Sequence, residues 1–434
     1  MTTPLAPYFK QLQRSTTLRW QGRVLQVIGN LVESEGPFCS VGDACDIITG
    51  DGTTYAGEVV GFRGSTMLTM TLQLPQGIRY GDRIVATGTR PSIRVGPELL
   101  GRVIDGTGQP LDSLGDYSAR GSVAVDRAAP LPLDRLPIRD ALGCGVRALD
   151  AFVPCGRGQR LGIFGGSGVG KSTLLGMMAR GTSADLTVLA LIGERGREVQ
   201  EFLEVLGEEG RRRSVLVVST SDQSPLLKMR AALGATAIAE HFASTGKNVL
   251  LVVDSLTRFA MAQREIGLAA GEPPTSKGYT PSVINVLARL VERAGNFKTG
   301  SITAFYTVLM EGDDQQDPVV DTVRSLLDGH IILDRELALQ NHYPPISVLD
   351  SLSRLTTSIA SPAHVSKARA LRLLLAAYKR SEDVIRIGAY QKGFDPVLDR
   401  AVEILPALNG FLQQESEQLP TFAQVVQQMQ ALPS

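Results

Sequence analysis

The chain has 434 residues, too many for one ordinary domain, and this length predicts two to four units. Hydrophobic residues make up 43% and charged residues 20%, the balance of a globular protein with a sizeable core. The 44 basic and 44 acidic residues cancel, so the net charge gives no reason to expect nucleic-acid binding. The four scattered cysteines, none in CxxC spacing, indicate free thiols in a reducing compartment.

The N-terminal part divides into an arm, a β-rich segment and a connector. Residues 1–19 carry apolar side chains at helical spacing and predict a docking arm for a partner, or else a frayed terminus. Residues 20–90 predict a small β-barrel or sandwich, because short β-rich runs alternate with Gly, Pro and Asp clusters. Those runs are Gly22–Val27, Glu58–Phe62, Thr66–Leu74 and Arg83–Thr87. Residues 91–150 are rich in Gly and Pro and are expected to form a connector packed on the next domain.

Residues 151–345 repeat the pattern strand, loop, helix. The candidate strands are continuous apolar runs, as in a parallel sheet covered on both faces. They are Leu161–Phe164, Thr187–Ile192, Val215–Thr220, Val249–Asp254, Ser301–Leu309 and His330–Leu333. Amphipathic segments such as Ser224–Ser244 and Pro281–Ala294 supply the crossover helices. Residues 346–434 are predicted to be a C-terminal helical domain, with helices at Ala363–Lys379, Val397–Glu417 and Thr421–Leu432.

A phosphate-binding motif lies between the first of these strands and the helix that follows. The pattern GxxxxGK[ST] is matched by Gly165, Gly166, Ser167, Gly168, Val169, Gly170, Lys171 and Ser172, and Thr173 continues into the helix. Glycines let backbone N–H groups turn toward phosphate oxygens, and the helix N-terminus adds a favourable dipole. Lys171 is expected on the β- and γ-phosphates of ATP, and Ser172 on Mg²⁺.

Two further strands lead into carboxylates at the same edge of the predicted sheet. One apolar strand ends in Asp254, the pattern of a Walker B strand, and Asp254 is expected to hold Mg²⁺ through water. Another strand leads into Glu194, the candidate base that orients the attacking water. Glu198 and Arg195 are candidate partners of Glu194. On these residues alone, a solvated loop of charges is an equal alternative.

These motifs together resemble the F-type/V-type rotary ATPase superfamily and, within it, the export ATPases of flagella and type III secretion. The resemblance is carried by the phosphate loop, Gly193–Glu198 and Asp254–Arg258, and it runs from about residue 20 to residue 430. Supporting stretches are Arg258–Ala269, Gly271–Tyr279, Glu311–Pro318 and Leu327–Leu333. The resemblance implies an α/β fold with an N-terminal β-barrel, a central P-loop (RecA-like) parallel sheet with helices on both faces, and a C-terminal helical domain.

The resemblance also implies roles for single residues. Glu194 matches the catalytic glutamate, and Arg195, its candidate partner from the local pattern, is counted with it as a catalytic candidate. Tyr343 matches the aromatic side chain that stacks on adenine, and Arg354 matches the arginine finger that reaches the γ-phosphate of a neighbouring subunit. Tyr390 is a candidate second adenine-facing aromatic, with a core position as the equal alternative.

Assembly and partners follow from the same resemblance. Because Glu194 and Arg354 occur in one chain, identical subunits are expected to form a homohexameric ring with active sites at subunit interfaces. The expected partners are a stator-like regulator at the N-terminal arm, a central stalk protein, the export gate, export chaperones and unfolded substrates. We expect no nucleic-acid partner. No signal peptide or membrane span is visible, so a cytoplasmic location with peripheral contact at the inner membrane is expected.

Four alternatives remain open at this stage. The flagellar interpretation competes with an injectisome ATPase, and a catalytic subunit of a rotary ATP synthase is the next candidate. A non-catalytic nucleotide-binding subunit is disfavoured by Glu194. A hexameric RNA translocase would need exposed aromatic residues and a basic cleft in residues 20–90, where aromatic residues are few.

Overall fold

The computed structural model describes residues 20–310 and 317–433. The predicted docking arm, residues 1–19, and most of the stretch Glu311–Pro318 lie outside the described residues. Within the described ranges, no helix has both the length and the apolar character needed to cross a membrane.

The first domain is a closed antiparallel barrel of six strands in the order β1-β2-β5-β4-β3-β6. The strands are β1 Gln21–Ile28, β2 Leu31–Glu35, β3 Ala44–Ile48, β4 Thr54–Arg63, β5 Thr66–Thr71 and β6 Arg83–Ala86. Its interior is filled by alternate apolar side chains such as Val24, Val32 and Ile47. The prediction of a barrel is confirmed, although β2 and β3 were missed because their apolar runs are short and interrupted by acidic residues.

The connector contributes three short strands, β7 Ser92–Val95, β8 Val103–Asp105 and β9 Gly121–Ala124. β7 and β9 pair with each other, and β8 joins the central sheet as its edge strand. A buried ion pair between Arg102 and Asp112 fixes the loop that follows β8, with nitrogen–oxygen distances of 2.9 and 2.8 Å. The exact domain boundaries stay predictions.

The central domain is built on a nine-stranded sheet. A two-stranded ribbon, β10 Ala141–Leu142 with β11 Cys155–Gly156, precedes it. The sheet strands are β12 Arg160–Gly165, β13 Leu186–Glu194, β14 Ser214–Thr220, β15 Asn248–Asp254, β16 Gly295–Asn296, β17 Ser301–Leu309, β18 Gly329–Leu333 and β19 Ile346–Ser353, with β8. The order is β19-β18-β12-β17-β15-β13-β14-β8, with β16 beside β17. Only β16 and β19 run antiparallel to their neighbours, so the carboxyl ends of β12, β13 and β15 meet at one edge.

Helices cover both faces of this sheet. They are α1 Arg147–Phe152, α2 Lys171–Gly181, α3 Gly196–Arg212, α4 Pro225–Ser244, α5 Leu256–Ala270, α6 Pro281–Val291, α7 Pro318–Leu326, α8 Arg335–Leu339 and α9 Thr356–Ile359. One core packs α4, α5 and α6 on one face, and the other core packs α1, α2 and α3 on the opposite face. The predicted parallel sheet with helices on both faces is confirmed.

The C-terminal residues form three helices, α10 Pro362–Arg386, α11 Pro396–Leu412 and α12 Phe422–Ala431. They pack on the same core as α2. The prediction that a helix spans Val397–Glu417 is wrong at its end, because α11 stops at Leu412 and Gln413 is extended. Gln414 is instead held by hydrogen bonds to distant segments. The predicted fold class is thereby confirmed in all three parts.

Candidate active site

The phosphate loop connects the end of β12 to the start of α2. Gly168 and Gly170 have φ angles of +78° and +86°, a left-handed conformation that glycine adopts without a steric cost. Val169, between them, is buried and anchors the loop in the core. The loop therefore has a defined shape, and its N–H groups and the first turn of α2 offer donors to an anion.

Lys171, the first residue of α2, lies against the end of β15. Its Nζ donates to Asp254 Oδ1 at 2.6 Å. Thr307 on β17 donates its hydroxyl to the same oxygen, also at 2.6 Å. Burial alone would lower the pKa of Lys171, but the charges of Asp254 and Glu194 outweigh it and raise that pKa above its usual value. Lys171 is therefore a fixed positive charge at the loop.

Glu194 ends β13 and brings a second carboxylate to the same point. Its Oε1 lies 3.8 Å from Lys171 Nζ. Burial, a hydrogen bond with Glu198 and the charge of Asp254 raise the pKa of Glu194 to about 7, against the opposing charge of Lys171. The hydrogen bond from Glu194 lowers the pKa of Glu198. Of the two carboxyl groups, Glu194 therefore binds a proton more readily than Glu198.

The predicted partners of Glu194 have different surroundings. Glu198 accepts from the backbone N–H of Arg195 at 3.5 Å and forms a capping box at the start of α3. The Arg195 side chain is exposed and 3.9 Å from Glu198. Of these two residues, it is Glu198 that raises the pKa of Glu194 through a side-chain hydrogen bond.

The donor set for a divalent cation is small. Ser172 is exposed in the first turn of α2, and Asp254 is buried at the end of β15, where it is bonded to the adjacent Lys171. No group of three or more His, Cys, Asp and Glu in the described part of the chain has the arrangement of a metal site. Mg²⁺ in nucleotide sites is held by one or two protein oxygens, phosphate oxygens and water. These residues fit such a nucleotide-borne ion.

Tyr343 lies on the other side of the loop. A Cβ placed on Gly170 would be 3.5 Å from Tyr343 Cε1, so the ring packs against the last glycine of the loop. The residue is 45% exposed, which leaves ring surface open for stacking. Its carbonyl oxygen accepts from the backbone N–H of Gln414 at 2.9 Å.

Tyr390 follows α10, and its hydroxyl donates to Asp399 at 2.6 Å. Asp399 belongs to α11, so this bond holds the connection between the two helices. Among the described residues, the structure shows no hydrogen bond or ring contact between Tyr390 and the phosphate loop or Tyr343. Its role toward adenine stays a prediction.

Arg354 comes directly after β19, and its backbone N–H donates to the carbonyl of Asp328 at 2.9 Å. Its side chain is exposed. No described carboxylate forms an ion pair with its guanidinium. The group is therefore available to an anion outside its own chain.

Three residues of the site were not predicted from the sequence. Thr307 orients Asp254, Gln414 holds Tyr343, and the Arg258 side chain packs on Gly193, where an added Cβ would lie 3.2 Å from it. Each lies on an element remote in sequence from its partner. No local pattern marks them, because only the pairing of strands and helices brings these contacts together.

Three family models match the chain. Residues 24–88 match the β-barrel domain of the ATP synthase alpha/beta family, and residues 145–353 match its nucleotide-binding domain. Residues 360–431 match the T3SS EscN ATPase C-terminal domain.

Similar proteins come from both secretion systems. The flagellum-specific ATP synthase of Bacillus subtilis is 49% identical over 410 residues, 94% of each chain. The type 3 secretion system ATPase of Pseudomonas savastanoi pv. phaseolicola is 49% identical over 414 residues, 93% of this chain and 92% of its own. The structure of assembled EscN from enteropathogenic Escherichia coli has a TM-score of 0.89 at 42% identity, covering 94% of this chain and 98% of that one. EscN in complex with its central stalk EscO gives a TM-score of 0.87 over the same shares.

Proposed function

Since this chain belongs to the family of flagellum-specific ATP synthases and type 3 secretion system ATPases, we propose that its ATPase activity energises protein export through a flagellar-type apparatus. The observation that carries the proposal is one cluster of three charged groups at the phosphate loop. The Nζ of Lys171 lies 2.6 Å from an oxygen of Asp254 and 3.8 Å from an oxygen of Glu194. A cation, a buried carboxylate and a carboxyl group with a pKa of about 7 supply the parts of an ATP-hydrolysing site.

The loop Gly165–Ser172 binds the phosphates of ATP, with Thr173 extending its donors into α2. Lys171 contacts the β- and γ-phosphates, where its fixed charge balances their negative charge. Ser172 and Asp254 would hold Mg²⁺, which would neutralise charge on the phosphate oxygens. Tyr343 stacks on the adenine ring beside the loop.

Glu194 orients the attacking water. The water oxygen forms a bond to the γ-phosphorus as the bond to the ADP oxygen breaks, and the water proton passes toward the Glu194 carboxylate. Glu194 must be ionised to take the proton from water, and its pKa of about 7 places this ionisation near neutral pH. Glu198 takes part by hydrogen bonding to Glu194.

Arg354 completes the site of a neighbouring subunit. Its exposed guanidinium, without a described ion-pair partner, is suited to stabilise charge on the γ-phosphate across an interface. A closed ring of six identical subunits gives six such interfaces. The close likeness to assembled EscN supports self-assembly, and the likeness to EscN with EscO supports a central stalk partner.

The other proposed partners follow from family membership. They are a stator-like regulator at residues 1–19, the export gate, export chaperones and unfolded substrates. The ring would stand at the cytoplasmic face of the inner membrane and contact it peripherally. The injectisome is the second candidate system, because a type 3 secretion system ATPase is as similar to this chain as a flagellar one.

The amount of protein secreted by cells in which Lys171→Ala replaces the wild-type protein tests the proposal. We expect secretion of flagellar hook and filament proteins to fall by about tenfold or more, because the phosphates lose their principal cation. Lys298→Ala, at an exposed lysine, is the matched control and should leave secretion unchanged. Loss of effector secretion with normal flagella would assign the chain to an injectisome. Unchanged secretion in both systems would refute a role in export.

A further inference from the structure

A buried glutamine joins the adenine side of the site to the phosphate side. Gln414, just past α11, is 5% exposed, and its backbone N–H donates to the carbonyl of Tyr343 at 2.9 Å. Its side-chain Oε1 accepts from the backbone N–H of Arg147 at 2.7 Å. Its Nε2 donates to the carbonyl of Gly145 at 2.8 Å and to the carbonyl of Gln418. One side chain thus ties together segments more than 260 residues apart in sequence.

The Gln414 carboxamide is used almost fully. A primary amide offers two N–H donors and two acceptor lone pairs, and here both donors and one lone pair are engaged. Glutamate has the same shape but would turn an acceptor toward two carbonyl oxygens. Methionine fills the volume but leaves the Arg147 N–H unpaired. This set of partners therefore requires glutamine.

The segment to which Gln414 is hydrogen-bonded packs against α2, the helix that follows the phosphate loop. Gly145 has φ +72°, and a Cβ there would lie 2.7 Å from the Cα of Gly181, the last residue of α2. Asp150 accepts from the N–H groups of Cys144 and Gly145 at 2.9 and 3.1 Å. This segment therefore follows the position of the helix that begins at Lys171.

The other end of the connection is the ring beside the loop. Tyr343 packs on Gly170 with nearly half of its surface open. Its carbonyl accepts from Gln414, and Gln414 donates to Gly145, which packs against Gly181 at the C-terminal end of α2. Gln414 thus connects the main chain that carries the Tyr343 ring to the segment that packs on α2.

We propose that Gln414 is the positioning residue for base recognition, setting the distance between the Tyr343 ring and the phosphate loop. It touches neither the phosphates nor the reacting atoms. It therefore governs affinity for the base while leaving phosphate binding and turnover unchanged. This inference rests on the proposed function, in which Tyr343 faces adenine.

The test compares ligands with and without a base. Gln414→Glu should raise the KM for ATP and the inhibition constant of ADP by about tenfold each, with kcat and the inhibition constant of tripolyphosphate within about twofold. Gln413→Glu introduces the same charge at the adjacent exposed residue and should change none of them. Equal weakening of ADP and tripolyphosphate, or no weakening of either, would overturn the inference.

Two more variants keep the test decisive. If Gln414→Glu does not fold, the uncharged Gln414→Met should likewise weaken the binding of ADP more than the binding of tripolyphosphate. Tyr343→Ala should itself weaken ADP by about tenfold, and adding Gln414→Met should then weaken it no further, because both act through one ring. Full ADP affinity in Tyr343→Ala would refute the adenine role of the proposed function. If Gln414→Met binds ADP normally while Tyr343→Ala binds it weakly, this inference alone is refuted.

Discussion

The two sides of the nucleotide site are built differently. On the phosphate side, eight consecutive residues form the loop, and Asp254 and Glu194 reach it from neighbouring strand ends. On the proposed base side, the carbonyl of Tyr343 accepts a hydrogen bond from Gln414, which follows α11. The phosphate side depends on buried charges, whereas the base side depends on neutral hydrogen bonds and packing.

This difference separates the expected effects of substitutions. Charged groups around the phosphates stabilise the transition state and should control turnover. Neutral contacts around the base act equally on bound substrate and transition state, so they should control KM. The following predictions test whether the two sides separate in this way.

The largest effect is expected for Arg354→Ala. Loss of an arginine finger should lower kcat by roughly 10³-fold, while ATP binding to the isolated subunit stays within about twofold. Steady-state phosphate release and equilibrium binding of a fluorescent ATP analogue measure the two quantities. Arg120→Ala, at an exposed arginine of the connector, is the control. Full turnover in Arg354→Ala would contradict a shared site.

A smaller loss of turnover is expected for Glu194→Gln. The amide keeps the size of the side chain but cannot take a proton from water, so kcat should fall by roughly 10²-fold. The KM for ATP should change little, because the phosphate contacts of the loop are intact. Near wild-type turnover would remove Glu194 from its proposed role.

The smallest effect is a shift in pH dependence. Because the proposed role of Glu194 needs its ionised form and its pKa is about 7, kcat/KM should rise with pH through an acid limb near that value. Glu198 stabilises the protonated form of Glu194, so Glu198→Ala should move the limb to lower pH. Burial of Glu194, the larger cause, remains, so the shift should be partial.

The control for this shift is Glu201→Ala. Glu201 lies on the same helix, α3, and pairs with Arg197. The pH–rate profile of this variant should match that of the unchanged protein. An identical acid limb in Glu198→Ala would show that the carboxyl pair does not set the pKa of Glu194.

The same contrast explains what could be predicted from the sequence. Lys171 and Ser172 were identified because their spacing in the loop is a local pattern, and Asp254 because an apolar run ends in it. The fold class was predicted from apolar periodicity and from the family motifs. By contrast, β2 is short and acidic, and its place in the barrel depends on its antiparallel pairing with β5.

The contacts around Tyr343 could not be predicted from the sequence, because they join segments that are far apart in the chain. Gln414 sits in a stretch with helical periodicity, which led to the wrong prediction that α11 extends to Glu417. Its hydrogen bonds to Gly145 and Arg147 form only when the C-terminal helices pack against α1. Thr307 likewise reaches Asp254 only because β17 pairs with β15.

Mixing two inactive proteins tests the central claim, that one site takes Glu194 from one subunit and Arg354 from the next. Glu194→Gln and Arg354→Ala are purified separately, combined in equal amounts under ring-forming conditions, and assayed for ATP hydrolysis. Random assembly should leave about one quarter of the interfaces with both intact groups, so the mixture should regain about a quarter of wild-type activity. If the mixture is no more active than its two components, the site does not span two subunits.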